Sequence, residues 1–395
     1  MKKIAILLSF YFGFTSLALG EITFEKILID SDDHFGAYNI GDIDGDGDID
    51  IVASGYQTNL AWYENKGSNS YQKHIISDYT EAASSLSIVD IDKDGDGDIL
   101  VGRSGLYLYV NDGSESFNTK KTLLSGQANH SNTGMIDKIK TTDIDNDGDI
   151  DILGSVGRFD EILWFKNKGD DTWDKTVLAT PNGPSDIFVY DLDGDNDNDI
   201  ITQSRYDSKL VWYENDGSQS YTEKTIATDT GYDSDSEFQG FHNFDATDLD
   251  KDSDIDFIVL SHDLIAWYKN DGSQNFTRTN ITLASSHWAG SAGGKGNAIK
   301  ALDIDSDNNL DLVFTTQNTI VWYKNDGSQN FTEKTVDIQD VNNSDDEFFS
   351  ADFDKDNDLD LLIYGGGQLN LFSQYISINV PAEYSTIQAG LNAAA

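Results

Sequence analysis

Seven stretches of alternating aspartate punctuate the sequence, beginning at Asp42, Asp90, Asp143, Asp191, Asp248, Asp303 and Asp352. Counted from its first residue, each loop carries Asp at positions 1, 3, 5, 7 and 9 in 34 of 35 places, Asn309 being the exception. Position 6 is Gly, Asn or Ser, residues tolerant of left-handed backbone. Positions 2 and 10 are always apolar, so both ends of the loop are anchored in a core. Alternate carboxylates on so tight a loop converge on one point. A solvated Asp-Gly turn would leave four or five of them crowded on nine residues with nothing to balance their repulsion. Hard oxygen donors at that density suit Ca2+, with position 7 expected to offer its backbone carbonyl. Mg2+ fits less well, because it keeps its waters and demands strict octahedral geometry. An EF-hand is excluded, since position 12 is never acidic. Up to seven calcium ions, structural in role, are the expectation.

The composition agrees with a cation-binding chain. Against 70 Asp and Glu stand 26 Lys and Arg, a formal charge of −44 over 395 residues. Such a field repels nucleic-acid phosphates and anionic lipid, so a nucleic-acid partner is excluded. The absence of Cys removes disulfides, thiolate catalysis and Cys-based zinc sites. Hydrophobic residues make up 38% of the chain, enough to build a core and to argue against disorder.

The elements that position the loops form a repeat. Spacings between loops are 48, 53, 48, 57, 55 and 49 residues. A second motif follows six of them, as Ala61-Trp62-Tyr63-Glu64-Asn65-Lys66-Gly67 follows the first, with versions around Tyr109, Trp164, Trp212, Trp267 and Trp322. In the second repeat, Ser85 to Ile91, Asp98 to Gly102, Leu106 to Val110 and Phe117 to Leu124 read as strands, with a hairpin signal at Asn111-Asp112-Gly113-Ser114. Four strands repeated seven times predict an all-β, seven-bladed β-propeller; a linear solenoid is the alternative. The ends favour the ring. The seventh repeat lacks a fourth strand, whereas Glu25-Lys26-Ile27-Leu28 resembles the fourth-strand stretch Glu333-Lys334-Thr335-Val336. The N-terminal strand is therefore expected to complete the seventh blade and remove the exposed edge. The repeated Trp are expected to fill the core between blades.

The loops resemble FG-GAP/VCBS repeats, which build the calcium-binding propeller of integrin α chains. The resemblance spans roughly residues 21–375; of the Phe-Gly/Gly-Ala-Pro signature itself only Phe35-Gly36-Ala37 is a trace. It implies metal ligands at positions 1, 3, 5 and 9. These are Asp42, Asp44, Asp46 and Asp50; Asp90, Asp92, Asp94 and Asp98; Asp143, Asp145, Asp147 and Asp151; Asp191, Asp193, Asp195 and Asp199; Asp248, Asp250, Asp252 and Asp256; Asp303, Asp305, Asp307 and Asp311; and Asp352, Asp354, Asp356 and Asp360. It leaves function open, because this scaffold hosts adhesion, sugar binding and lyase chemistry.

Both ends carry further signals. Lys2 and Lys3 precede the apolar run Ile4 to Phe14, with Ala18 and Gly20 suited to a cleavage site. Residues 1–20 thus read as a secretory signal peptide rather than a membrane anchor. The mature chain is expected to be secreted or on the cell surface, without a membrane span, and monomeric. Residues 376–395, with Tyr384-Ser385-Thr386-Ile387-Gln388, resemble the opening of a pectate-lyase-like right-handed β-helix domain, either cut short or degenerate.

Loop parity assigns the faces. Calcium loops and strand 3–4 turns share one face, and the 2–3 and 4–1 loops share the other. Three of the four Arg, namely Arg103, Arg158 and Arg205, fall in the 2–3 loops of consecutive blades, with His262 equivalent in blade 5 and Trp288 in a 4–1 loop. Together they form a candidate ligand site for a carboxylate or sulfate group with a sugar face. The opposing reading is that loop Arg pair with local Asp. Three functions remain open: a binding or adhesion module for a glycan or surface protein, a polysaccharide lyase using a His or Tyr of this face, and a structural spacer for a C-terminal β-helix.

Overall fold

The structure is a computed structural model that describes residues 21–31, 35–55, 59–78, 82–113, 116–125, 136–228, 243–261, 264–281, 298–316, 319–334 and 347–377. Residues 1–20, expected as a signal peptide, residues 378–395 of the stretch expected to open a β-helix, His262 and Trp288 lie outside the described residues.

Seven four-stranded antiparallel sheets make the blades of a ring. Blade 1 comprises Phe35–Gly41, Asp50–Gly55, Leu60–Asn65 and Tyr71–Ser77. Blade 2 comprises Ser85–Val89, Asp98–Gly102, Leu106–Val110 and Thr119–Leu124. Its two middle strands match the sequence reading, and its outer strands are shorter than expected. In every blade the second strand starts at position 9 of the aspartate loop, as at Asp151–Val156 of blade 3 and Asp199–Ser204 of blade 4. Blade 5 has its second and third strands at Asp256–Ser261 and Leu264–Asn270, and blade 6 at Asp311–Thr315 and Ile320–Asn325. Among the described residues the only helix is one 3-10 turn, Arg205–Asp207. None is long and apolar enough to cross a membrane.

Ring closure follows the expected route. The last blade runs Phe349–Ala351, Asp360–Gly365 and Gln368–Ser377, and Glu21–Asp30 supplies its outer strand, pairing antiparallel from Glu21 opposite Ser377 to Asp30 opposite Leu369. Seven hydrophobic clusters hold the ring, each bridging two neighbouring blades. Leu362 and Leu371 of blade 7 pack with Ile51 and Tyr63 of blade 1, with Ile27 and Ile29 of the closing strand against them. The second and third strands are buried almost throughout, whereas the fourth strands are largely exposed, so the apolar faces meet between blades. The repeated Trp62, Trp164, Trp212, Trp267 and Trp322 are all buried.

Removing residues 21–30 exposes the edge of Gln368–Ser377 and takes Ile22, Phe24, Ile27 and Ile29 from two inter-blade clusters. The deletion variant is expected to lose its cooperative melt or to aggregate. Thermal unfolding and size-exclusion chromatography check this; a monomer melting with the parent would contradict it.

Candidate metal loops and the ring mouth

Each aspartate loop is folded by its own carboxylates. Position 1 reaches across the loop and accepts backbone N–H groups from positions 4 to 6. Asp143 takes those of Asp147 and Gly148 at 3.0 and 2.8 Å, and Asp303 those of Asp307 and Asn308 at 2.9 Å each. Position 6 has positive φ throughout, from 67° at Asn308 to 104° at Gly95. This explains why Gly, Asn and Ser stand there.

Position 9 does something different. Asp50, Asp98, Asp151, Asp199, Asp256, Asp311 and Asp360 are at most 1% exposed. One oxygen accepts the backbone N–H of a strand-three residue, at 2.8 Å from Asn65 to Asp50, 2.7 Å from Asn167 to Asp151 and 2.8 Å from Gln374 to Asp360. In five blades the other oxygen accepts the N–H of position 2, as from Ile43 to Asp50 at 3.1 Å. In blade 6 it takes the Trp322 indole N–H at 2.9 Å. The equivalent indole N–H groups of Trp62, Trp164, Trp212 and Trp267 are buried without a hydrogen-bond partner. The same Asn or Gln also ties neighbouring blades: Asn65, Asn111 and Gln374 donate side-chain amides to the carbonyls of Phe353, Ile43 and Ile304, each position 2 of the preceding blade. The repeated Asn and Trp were legible as motif residues, but their service to the loop was not.

The loops and the strand 3–4 turns share one face, as parity required. A Cβ on the left-handed Gly169 would stand 2.5 Å from the position-7 carboxylate of Asp149 in the same blade, and one on Gly217 2.6 Å from Asp197. Position-4 lysines join this face around the ring. Lys93 pairs with Asp149 of the next blade at 2.7 Å, and Lys355 pairs with Asp48 across the closure.

Carboxylates of positions 1, 3 and 9, or of 1, 3 and 5, bring one oxygen each within 4.8 Å of one another in the first five loops, as in Asp42, Asp44 and Asp50 or Asp90, Asp92 and Asp94. Burial pushes Asp50, Asp98 and Asp360 up to about 7, and Asp151, Asp199, Asp256 and Asp311 up to about 6. Burial first and then neighbouring carboxylates push up Asp92, Asp193 and Asp354 at position 3. Five position-3 residues, Asp145, Asp193, Asp250, Asp305 and Asp354, keep one buried oxygen without a hydrogen-bond partner. Crowded, all-oxygen donors with orphaned acceptors fit a hard cation.

The opposite face opens into a cavity of about 890 Å³ that gathers Arg103, Arg158 and Arg205 from blades 2, 3 and 4. Lys138 adds a fourth cation, and Asp137, Asp160, Asp186 and Glu347 add four carboxylates. Lys138 spans the mouth to Glu347 at 2.8 Å and approaches Asp186 at 3.8 Å. The Arg103 guanidinium donates to the carbonyl of Ala82 and so ties down a neighbouring loop. Tyr206, 70% exposed, lays its ring over Gly183, where a Cβ would stand 2.5 Å from it. Of the two rings the sequence offers for stacking on a sugar, Trp288 and Tyr206, Tyr206 is the one among the described residues. The 4–1 loop residues His34, His130, His242, His287 and Tyr232 lie outside the described residues.

Comparison with known proteins agrees with this geometry. A family model described as an FG-GAP-like repeat matches residues 42–101, 143–202, 248–314 and 303–363, more than half of the chain. The protein belongs to the FG-GAP-like repeat family. Similar solved structures include an Agrocybe aegerita lectin described as recognising non-reducing terminal N-acetylglucosamine, 20% identical with a TM-score of 0.56 over 75% of this chain and 78% of that one. BBS1N, solved in complex with ARL6DN, is 12% identical with a TM-score of 0.59 over 89% of this chain and 96% of that one. The WD40 β-propeller domain of Doa1 is 10% identical with a TM-score of 0.54 over 93% of this chain and all of that one. At these identities the likeness is one of fold. No curated protein matches the chain.

Two outcomes follow from the loops. Asp98→Ala orphans the buried N–H groups of Ile91 and Asn111, at about 1–3 kcal/mol each. It should lower the melting temperature with or without calcium, whereas Asp46→Asn at an exposed position should lower it only when calcium is present. In metal-free protein, position-9 carboxyls titrate near 6–7 when folded against 3.8 for the free side chain. The folded state then holds protons that the unfolded chain has lost, so stability falls as pH rises through that window. Metal-free melts at about pH 5 should exceed those at about pH 7.5, and calcium should reverse the order.

Proposed function

We propose that this protein is a secreted, calcium-stabilised binding module whose ring mouth receives the end of a glycan chain. The observation that carries the reading is the mouth cavity itself, which joins three Arg, four carboxylates and an outward-facing Tyr206 at one place. Alternating cations and carboxylates supply donors and acceptors in the mixture that sugar hydroxyls use. An exposed aromatic ring backed by the Gly183 main chain offers a stacking face. The balance of four cations and four carboxylates tempers the expectation of a purely anionic ligand. It favours a hydroxyl-rich sugar, with the guanidinium groups of Arg158 and Arg205 lining the mouth beside one acidic or N-acetyl substituent. A lectin of similar fold is described as recognising non-reducing terminal N-acetylglucosamine, which supports this reading.

Calcium in the aspartate loops would hold the opposite face rigid, so that the mouth keeps one shape. Its contribution is mass action on the folded state, which favours an extracellular setting rich in the ion.

A glycan array with Tyr206→Ala and the double variant Arg158→Ala, Arg205→Ala tests the mouth. Each charge-assisted contact contributes about 1.5–3 kcal/mol, so the double variant should lose binding by at least about tenfold. Arg103→Ala should chiefly lower stability, because its guanidinium holds Ala82. An array without ligands, or variants that bind as the parent does, would remove the mouth as a sugar site.

A further inference from the structure

The seven loops share their aspartates but not the side chain that leans on them. The residue before the strand-three Asn or Gln is Lys in blades 3, 5 and 6, Glu in blades 1 and 4, Val in blade 2 and Ser in blade 7. In the three lysine blades the ammonium lies between the carboxylates of positions 3 and 5. Lys166 binds Asp145 and stands 2.9 Å from Asp147. Lys269 binds Asp250 and stands 3.0 Å from Asp252, and Lys324 binds Asp305 and stands 2.9 Å from Asp307. The contacts are built in, not surface encounters: the side chains of Asp145 and Asp250 are only 8% and 9% exposed. Lys166 and Lys269 also stand 5.7 and 5.9 Å from the rings of Trp164 and Trp267, two residues back on the same strand.

A lysine ammonium is a compact point charge with three donors, and among carboxylate oxygens it can stand where a hard cation would. Blade 4 shows the opposite arrangement. There Glu214, itself paired with Lys224 at 2.5 Å, brings a carboxyl toward Asp193 where blades 3, 5 and 6 have an ammonium. In blades 2 and 7, Val110 and Ser373 bring no charge to the loop.

We propose that Lys166, Lys269 and Lys324 are internal counter-ions standing in the calcium position, so that the loops of blades 3, 5 and 6 bind calcium weakly while those of blades 1, 2, 4 and 7 bind it tightly. The proposal rests on the calcium reading of the loops and assigns an order to the sites. For calcium to enter a lysine blade the ammonium must first leave two carboxylates, and that displacement is subtracted from the ion's affinity.

Equilibrium dialysis of the metal-free protein against calcium, with calorimetric titration, tests it on the unaltered chain. About four ions should bind in a tight class, and the remaining sites should fill only at calcium concentrations at least about tenfold higher. The triple variant Lys166→Met, Lys269→Met, Lys324→Met should move those sites into the tight class. It should also melt below the parent without metal, having lost three internal cations, yet approach it in saturating calcium. Seven ions of equal affinity in the parent would overturn the lysine assignment while leaving the calcium reading intact. No bound calcium at all would overturn both. Should the triple variant fail to fold, Lys324→Met alone must gain one tight site, and the parent's stoichiometry decides in any case.

Discussion

Burying a carboxylate at the start of the second strand of every blade is costly, and the ring is arranged around meeting that cost. Unpaired, such a group would protonate or hold the fold open. Here each is met by the N–H of the strand-three Asn or Gln, and most also by the N–H of loop position 2. Those bonds fix where strand three runs relative to the loop. The amide of that Asn or Gln in turn reaches the preceding blade in blades 1, 2 and 7, so the hydrogen bond that satisfies a buried charge also sets the spacing between sheets. The aspartate is thus a joint between loop, blade and ring before it is a metal ligand. A cation held by the loop would use lone pairs left over from that work.

The two faces divide labour accordingly. On the loop face nearly every side chain is committed to turn geometry, to a neighbouring carboxylate or to the next blade. The mouth face lacks the repeat: its loops vary in length and carry the Arg residues, Tyr206 and the Lys138–Glu347 pair that spans the opening. Repetition on one face supplies a rigid frame, and irregularity on the other supplies a particular shape.

Much of this was legible in the sequence for a physical reason. A ring of seven copies writes the same pattern seven times, and the closing strand betrays itself as a fourth-strand motif with no blade of its own. Parity of antiparallel strands placed Arg103, Arg158 and Arg205 on one face without any side-chain information. Two things were not legible. The four carboxylates that share the mouth come from three blades, 3, 4 and 7, and sequence distance says nothing of their meeting; Glu347 and Lys138 are 209 residues apart. The roles of Lys166, Lys269 and Lys324 were hidden because a lysine in a Trp-Phe-Lys-Asn or Trp-Tyr-Lys-Asn stretch reads as a solvated charge. Only the pleat, which turns that residue toward the loop of its own blade, reveals the contact.

The lysines also bear on how a chain of charge −44 stays closed. Its negative charge is concentrated in seven loops on one rim, where self-repulsion acts to spread the blades. Two sets of lysines oppose this. Those of strand three neutralise single loops from within, whereas Lys93 and Lys355 at position 4 bind the position-7 carboxylate of the following blade. Lys251 reaches the position-7 residue of blade 6, but that residue is Asn309, the one departure from aspartate, so the contact there is a hydrogen bond of 3.1 Å rather than an ion pair. Blade 6 thus has Lys324 inside its loop and Lys251 at its position 7, just as blade 3 has Lys166 inside and Lys93 at position 7. The same two lysine positions therefore serve both loops, and with Asn309 in place of a carboxylate the blade-6 loop carries one negative charge fewer against them.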